Sequence, residues 1–348
     1  MMSLYKNIWL LLGILIGFSL LTGCTTISVK QKNILPPNTD QWLLTRSKIY
    51  HLTSEGLKEE GFFEPWYRLL QTGKITTLSS ISYDKEQNRI YFFGGNPKSK
   101  SASYSLYYLN LNKPNSYPII LLKEFNLKEF GLIPKINLSP NGKTLVFFAS
   151  HNDVHTHQNV LDLFALDTTS YKVRLLKKNF WNNRDYESID WFSNYELIYR
   201  SSDYKNAYLF NINTLQETNF QQLNSLTAQN SYEQESISPS RTKLLLFKVT
   251  NWTPPPIALS LCIADLQQNT LSTLQTYYLD VSPENKFLWL PDESGFLLFS
   301  RWERSNHDDA YFFSLKNNKA IYLGPVKSIY YSTLLPKIDK KLIINPIK

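Results

Sequence analysis

The sequence predicts an all-β protein, a six-bladed β-propeller, on three observations. A tight turn followed by an apolar strand recurs five times along the chain. Hairpins with an aromatic first strand alternate with those fragments, and no sustained amphipathic helix separates the strands. Units of four short strands repeating at this length are the mark of a propeller.

The chain opens on a different kind of segment. Lys6 is the only charge before an apolar run from Ile8 to Leu21, which ends in Thr22, Gly23 and Cys24. That run is shorter than the roughly 20 residues a helical span needs. A positive start, a short apolar core and small residues in that order form a secretory signal, with an uncleaved anchor helix as the alternative. Leu21-Thr22-Gly23-Cys24 also resembles the bacterial lipoprotein lipobox, whose cysteine is acylated and becomes the first mature residue. Thr25 follows it, where lipoproteins retained at the inner membrane often carry Asp. By that resemblance the protein belongs on the periplasmic side of the outer membrane, if the cell is Gram-negative. The expected organisation is a signal at 1–23, a lipidated tether at 24–47 and the propeller at 48–348, with blade repeats from about 66.

Cysteine usage agrees with a lipid on Cys24. Cys262 is then alone, no intramolecular disulfide is available, and its apolar setting in "ALSLCIADL" predicts a small buried strand residue. About 325 residues follow the signal, enough for one large domain or two ordinary ones. The net charge of +8 comes from scattered lysines, with short clusters only in "LLKKNF" and "DKKL". This predicts a solvated basic surface with some attraction to anionic headgroups. An exported chain without a base-reading motif is no nucleic-acid binder.

The segment "TSEGLKEEGFF" has some helical character, weakened by Gly56 and Gly61. Next comes "WYRLLQTGKITTL" (66–78), which the repeat pattern reads as a C–D hairpin. The five turn-and-strand fragments then follow: "ISYDKEQNRIYFFGG", "LSPNGKTLVFFAS", "WFSNYELIYRS", "ISPSRTKLLLFKV" and "LPDESGFLLFSRW". Their turns fall near Ser82, Ser139, Ser193, Ser238 and Leu290, in steps of about 45–57 residues. "LLPKIDKKLIINP" (334–346) repeats the fragment a sixth time without its hairpin. The expected closure therefore joins strands C and D from the N-terminal side to strands A and B from the C-terminal side in one blade. A closed ring removes the unpaired edges of an open or five-bladed array, which is the alternative.

"LSPNGKTLVFFAS" and "LWLPDESGFLLFS" resemble the Ser-Pro-Asp-Gly-Lys turn of TolB-like propeller repeats, and "WYRLLQTGKITTL" resembles their hairpin. The resemblance covers about residue 66 to the C-terminus and implies the propeller fold. TolB itself carries an α/β domain ahead of its propeller and contacts a peptidoglycan-associated lipoprotein. The stretch from Cys24 to Pro65 is too short for such a domain, so that partner does not transfer. No Gly-x-Ser-x-Gly elbow points to a propeller-bearing peptidase.

In a four-stranded meander the B–C loops and D–A links share one face of the disc. On it fall His151, Asp153, His155 and His157 of "SHNDVHTHQN", His307, Asp308 and Asp309 of "ERSNHDDA", and Trp252 of "TNWTPPPIA". These are candidate rim-binding residues, since loops on a rigid scaffold often carry function. Three histidines this close could hold Zn²⁺ or Cu²⁺, but the spacing matches no zinc signature, so a solvated loop is preferred and no metal or other cofactor is assigned. Glu187, Asp190, Glu233 and Glu235 enter the A strands and are candidates for the channel mouth. Paired carboxylates there would suit glycan hydrolysis, and a wet polar rim is the simpler account. The function expected is a non-catalytic, lipid-anchored interaction or scaffolding module of the cell envelope, with an envelope protein as partner. The alternative is a protein that binds or hydrolyses glycan or peptidoglycan fragments.

Overall fold

One strand in each blade reads as an unbroken apolar run rather than an alternation, and its burial explains why. Ile90 and Phe92 enter one core cluster while Tyr91 and Phe93 enter the next. Leu145 and Phe147 join that second cluster, and Val146 and Phe148 a third. The same division holds for Leu244 and Leu246 against Leu245 and Phe247, and for Phe296 and Leu298 against Leu297 and Phe299. A strand covered on both faces has no solvent side, so its pleat sends alternate side chains to two neighbouring blades.

A computed structural model describes residues 35–345, except 37–38, 47, 97–102, 114–117, 127–135, 153–158, 182–188, 201–205, 229–231, 252–256, 280–285, 302–307 and 328–331. The described residues form six antiparallel sheets, as the sequence predicts. Blade 1 comprises β4 (Thr77–Asp84), β5 (Arg89–Asn96), β6 (Ser103–Asn110) and β7 (Ile119–Asn126). Blade 2 comprises β8 (Ile136–Leu138), β9 (Thr144–Asn152), β10 (Asn159–Asp167) and β11 (Val173–Trp181). Blade 3 comprises β12 (Ile189–Trp191), β13 (Glu196–Arg200), β14 (Ala207–Asn211) and β15 (Glu217–Asn219). Blade 4 runs from β16 (Glu233–Ile237) through β17 (Lys243–Asn251) and β18 (Ile257–Asp265) to β19 (Thr270–Leu279). Blade 5 runs from β20 (Lys286–Trp289) through β21 (Gly295–Arg301) and β22 (Asp308–Ser314) to β23 (Lys319–Val326).

Serine recurs at the A–B turns for one reason. The Ser139 hydroxyl accepts from Thr144 N–H at 2.9 Å, Ser193 from Glu196 N–H at 3.1 Å and Ser238 from Lys243 N–H at 3.2 Å. Each hydroxyl thus ties the turn to the start of strand B, as a short polar side chain does in a turn. Cys262 lies in β18, buried and unpaired, as its apolar surroundings predict.

Blade 6 is built from both ends of the described chain, but not in the expected halves. Its order is β24 (Thr333–Leu335), β1 (Gln41–Leu44), β2 (Lys48–Thr53), β3 (Gly56–Phe63) and β25 (Ile343–Ile344). The N-terminal side supplies strands B, C and D; the C-terminal side supplies strand A and a fifth strand outside D. Trp42–Leu44 is the doubly buried B strand, with Leu43 facing one cluster and Trp42 and Leu44 another. Sheet structure therefore begins inside the stretch expected to be tether, and Leu35 is already buried, with its N–H on Ser54 O at 3.2 Å.

"WYRLLQTGKITTL" is not a hairpin. It holds most of helix α1 (Glu64–Gln71) and the first residues of β4. Pro65 sits in the first turn, where its missing N–H costs nothing, and Glu64 pairs with Arg68 one turn on. Trp66 and Leu69 are buried at helical spacing, the Trp66 ring 4.8 Å from Phe63 and 5.8 Å from Phe92. "TSEGLKEEGFF" is likewise no helix but the β2–β3 turn and β3, because Gly56 takes a left-handed φ of 124° at the turn. Gly61 (φ 142°) lets the last strand approach, since a Cβ there would lie 2.7 Å from Ile344 O. A second helix, α2 (Gln221–Thr227), follows the short outer strand of blade 3 and buries Leu223. Among the described residues no helix is long and apolar enough to cross a membrane.

Candidate functional site

The inner strands carry a girdle of hydrogen bonds between blades. Asp190, in β12, accepts from Asn137 Nδ2 of blade 2 at 3.1 Å, from Trp191 N–H at 2.8 Å and from Ile237 N–H of blade 4 at 3.1 Å. The Trp191 indole N–H returns to Asn137 O at 3.0 Å, and Arg241 of blade 4 donates to Trp191 O at 3.0 Å. Ser80 of blade 1 accepts from Ile136 N–H of blade 2 at 2.6 Å. Asp190 is thus a staple joining three blades, its carboxylate occupied by donors from each.

The remaining channel candidates are placed only in part. Glu187 lies outside the described residues. Glu233 and Glu235 lie in β16, Glu233 opposite Phe247 of β17 and Glu235 at an irregularity in the pairing, and their side chains are outside the description. Of the rim candidates, Asp153, His155, His157, Trp252 and His307 lie outside the described residues. His151 pairs with Val160 in β9 and Asp308 with Arg301 in β22, and nothing further is described of their side chains. Asp309 accepts from the Tyr322 hydroxyl at 3.2 Å. Burial, then the Asp309 charge, pushes the neighbouring Tyr311 phenol up to about 12. Among the described residues no group of His, Cys, Asp and Glu is placed to hold a metal ion.

The structure brings forward a different surface, at the outer rim of blades 1 and 2. Tyr171, in the turn before outer strand β11, is 37% exposed, and Val173 and Leu175, at the start of that strand, are 36% and 40% exposed. Between and beyond them stand exposed Lys172, Arg174 and Lys178, and no acidic residue occurs from Tyr171 to Trp181. The other exposed large apolar side chains among the described residues are Leu70, on α1, and Tyr195 and Leu215, in turns of blade 3. Tyr171 stacks on Tyr108 of blade 1 (6.2 Å, 16°), whose ring also carries the Arg89 guanidinium 5.0 Å from its centroid. Beneath this stack the two blades fit closely. The Asp84 carboxylate of blade 1 is buried against Gly142 of blade 2, where a Cβ would come within 2.9 Å of it, and burial raises its pKa. Sequence reasoning noticed only the lysines of "LLKKNF". The missed signal is Val173 and Leu175 flanking Arg174 at the start of a D strand, where a solvated outer edge calls for polar residues on both faces.

Farther along β11 the surface turns ionic. Lys177 pairs with Glu217 of blade 3 at 2.7 Å, and Glu217 also accepts from the Tyr199 hydroxyl. Burial pushes the Glu217 carboxyl up, but the bonds from Lys177 and Tyr199 outweigh it and hold it below the usual carboxylate range. A carboxyl depressed on folding stabilises the protein above its unfolded pKa of about 4.3, and that stabilisation is lost as pH falls through the folded value. The pair is 39% and 34% exposed, so the contribution is well under about 1 kcal/mol. Glu217→Gln is expected to flatten the fall in urea midpoint from pH 5 to pH 3 relative to the wild type. An unchanged slope would place the acid sensitivity elsewhere.

Comparison with protein-family models and with curated protein sequences returns no match. Among solved structures, the fold is similar to TolB from Acinetobacter baumannii, with a TM-score of 0.57 at 14% identity over 86% of this chain and 66% of that one. This chain thus spans just under two thirds of TolB. A protein from Lactobacillus plantarum matches at a TM-score of 0.49 and 7% identity, over 85% of this chain and 99% of that one. The β-propeller domain of the Trilobed protease from Pyrococcus furiosus matches at 0.42 and 14% identity, over 71% and 70%. At these identities the likeness to TolB is one of fold: a six-bladed propeller of the TolB kind.

Proposed function

We propose that this protein is a lipid-anchored module of the cell envelope that works by binding another protein and catalyses no reaction. The observation that carries the interaction role is the exposed apolar and basic strip at Tyr171–Leu175. It stands on blade 2, whose inner strand is hydrogen-bonded to those of blades 1 and 3, so it is held in place before any partner arrives. A preformed surface loses little entropy on binding. Occupation of Asp190 by hydrogen bonds favours this reading over acid–base chemistry at the channel mouth. The anchor rests on Leu21–Cys24 at the end of an export signal, and places the module at a membrane surface on the periplasmic side.

The test joins anchor and partner. Wild-type protein made in a Gram-negative host is expected to take up labelled palmitate, to fractionate with membranes and to crosslink reproducibly to one envelope protein. Cys24→Ala is expected to lose the label and leave the membrane fraction. Labelling that persists in Cys24→Ala would overturn the anchor, and an absence of any specific crosslink from any surface of the ring would overturn the interaction role.

A further inference from the structure

We propose that an acidic, extended segment of the partner adds to blade 2 as a fifth strand, paired with Val173–Leu175 of β11. This deepens the interaction role above and rests on it.

The backbone is set for such pairing. Asp167 N–H donates to Lys172 O at 3.0 Å, and Val173, Arg174 and Leu175 pair with Leu166, Ala165 and Phe164. Inward hydrogen bonds alternate along an antiparallel strand, so the next inward residue after Lys172 is Arg174. The N–H and C=O groups of Val173 and Leu175 therefore point outward, away from β10, as a template for another strand. Their side chains, two residues apart on the strand, share one face, and Tyr171 stands in the turn before it on its Tyr108 stack. Past Leu175 the register with β10 shifts, which limits the template to its first half.

The chain answers the same situation on blade 6 with a fifth strand of its own, where Ile343 and Ile344 pair outside Phe63 and Phe62. Blade 3 leaves its outer strand Glu217–Asn219 polar and exposed, and the exposed ends of the described outer strands of blades 4 and 5 are Thr270 and Lys319. Blade 2 joins an open edge to apolar side chains. The charge decides the occupant. Arg174 is exposed within the template and Lys178 beyond it, Lys172 stands beside Asp167 across the turn, and no acid occurs between Tyr171 and Trp181, so a segment alternating acidic and apolar or β-branched residues is complementary, while a basic one is repelled. A second copy of this strand would set its own cations opposite these, which like-charge repulsion opposes.

The probe is a capped seven-residue peptide alternating glutamate with valine and threonine, titrated against the whole mature protein, with a lysine-for-glutamate version as the control. The acidic peptide is expected to bind at least tenfold more tightly than the lysine version and to weaken as salt rises. Arg174→Glu is expected to weaken it about tenfold. Leu175→Pro removes an outward N–H without touching an inward bond and is expected to abolish binding with the thermal melt retained. Should Leu175→Pro not fold, Val173→Glu with Leu175→Glu serves in its place, with the same loss expected. Equal affinity for the two peptides, or undiminished binding by these variants, would overturn the proposal. So would concentration-dependent dimerisation that the variants abolish in a protein deaf to the acidic peptide, since a second copy would then be the occupant. If the peptide fails while crosslinks from other surfaces to an envelope protein persist, the fifth strand falls and the interaction role stands.

Discussion

Trp191→Ala is expected to lower the unfolding free energy by about 4 kcal/mol, read as a shift of the urea midpoint with unchanged slope. Trp191 is completely buried in the cluster between blades 2 and 3. Its removal leaves a cavity the size of an indole, and it also strands a half-buried acceptor, Asn137 O, that the indole N–H now satisfies. Trp191→Phe separates the two effects. It keeps most of the apolar volume and loses the hydrogen bond, so a loss of about 1–2 kcal/mol is expected. A change below about 1 kcal/mol in both variants would show that the inner girdle does not bear the load assigned to it.

Ending the chain after Tyr331 is expected to abolish cooperative unfolding. The truncation removes Thr333–Leu335, leaving the inner side of Trp42–Leu44 unpaired. It also takes Leu335, Ile338 and Leu342 from the core, each 5% exposed or less. Three such side chains contribute about 5–9 kcal/mol by area, which equals the whole stability of many domains. The measurement is a thermal melt beside limited proteolysis. Adding a peptide covering 332–345 in trans is expected to restore protection of Gln41–Phe63. Equal protease resistance with and without the terminal strands would mean the ring does not depend on its closing blade.

The first five blades were legible because two signals coincide in each. A serine or acidic turn precedes an apolar run with no polar interruption, and that run is what burial on both faces of a strand demands. The closing blade has the same apolar run in "QWLLT", but its A strand and turn lie at the other end of the chain, so the paired signal is split. "WYRLLQTGKITTL" imitated a hairpin by its aromatic start and polar turn. Its Trp66–Leu69 spacing and the proline before it were the stronger evidence, and they indicate a helix. The site was less legible. Asp190 looks like any carboxylate at a strand entrance, and only geometry reveals donors from three blades around it. The blade 2 strip was hidden by its lysines, which read as solvated surface until Val173 and Leu175 proved to be exposed between them.

Closure by Thr333–Leu335 against Trp42–Leu44 has a kinetic consequence. The two strands lie about 290 residues apart, so the contact that seals the ring has the highest sequence separation among the described strand pairs. A ribosome releases Trp42–Leu44 long before its partner strand Thr333–Leu335. During that interval the first strands form an apolar hairpin with an open edge. Folding limited by so distant a contact is slow, and its intermediates are prone to aggregate. Until Thr333–Leu335 arrives, the unpaired edge of Trp42–Leu44 is a template on which another chain can pair.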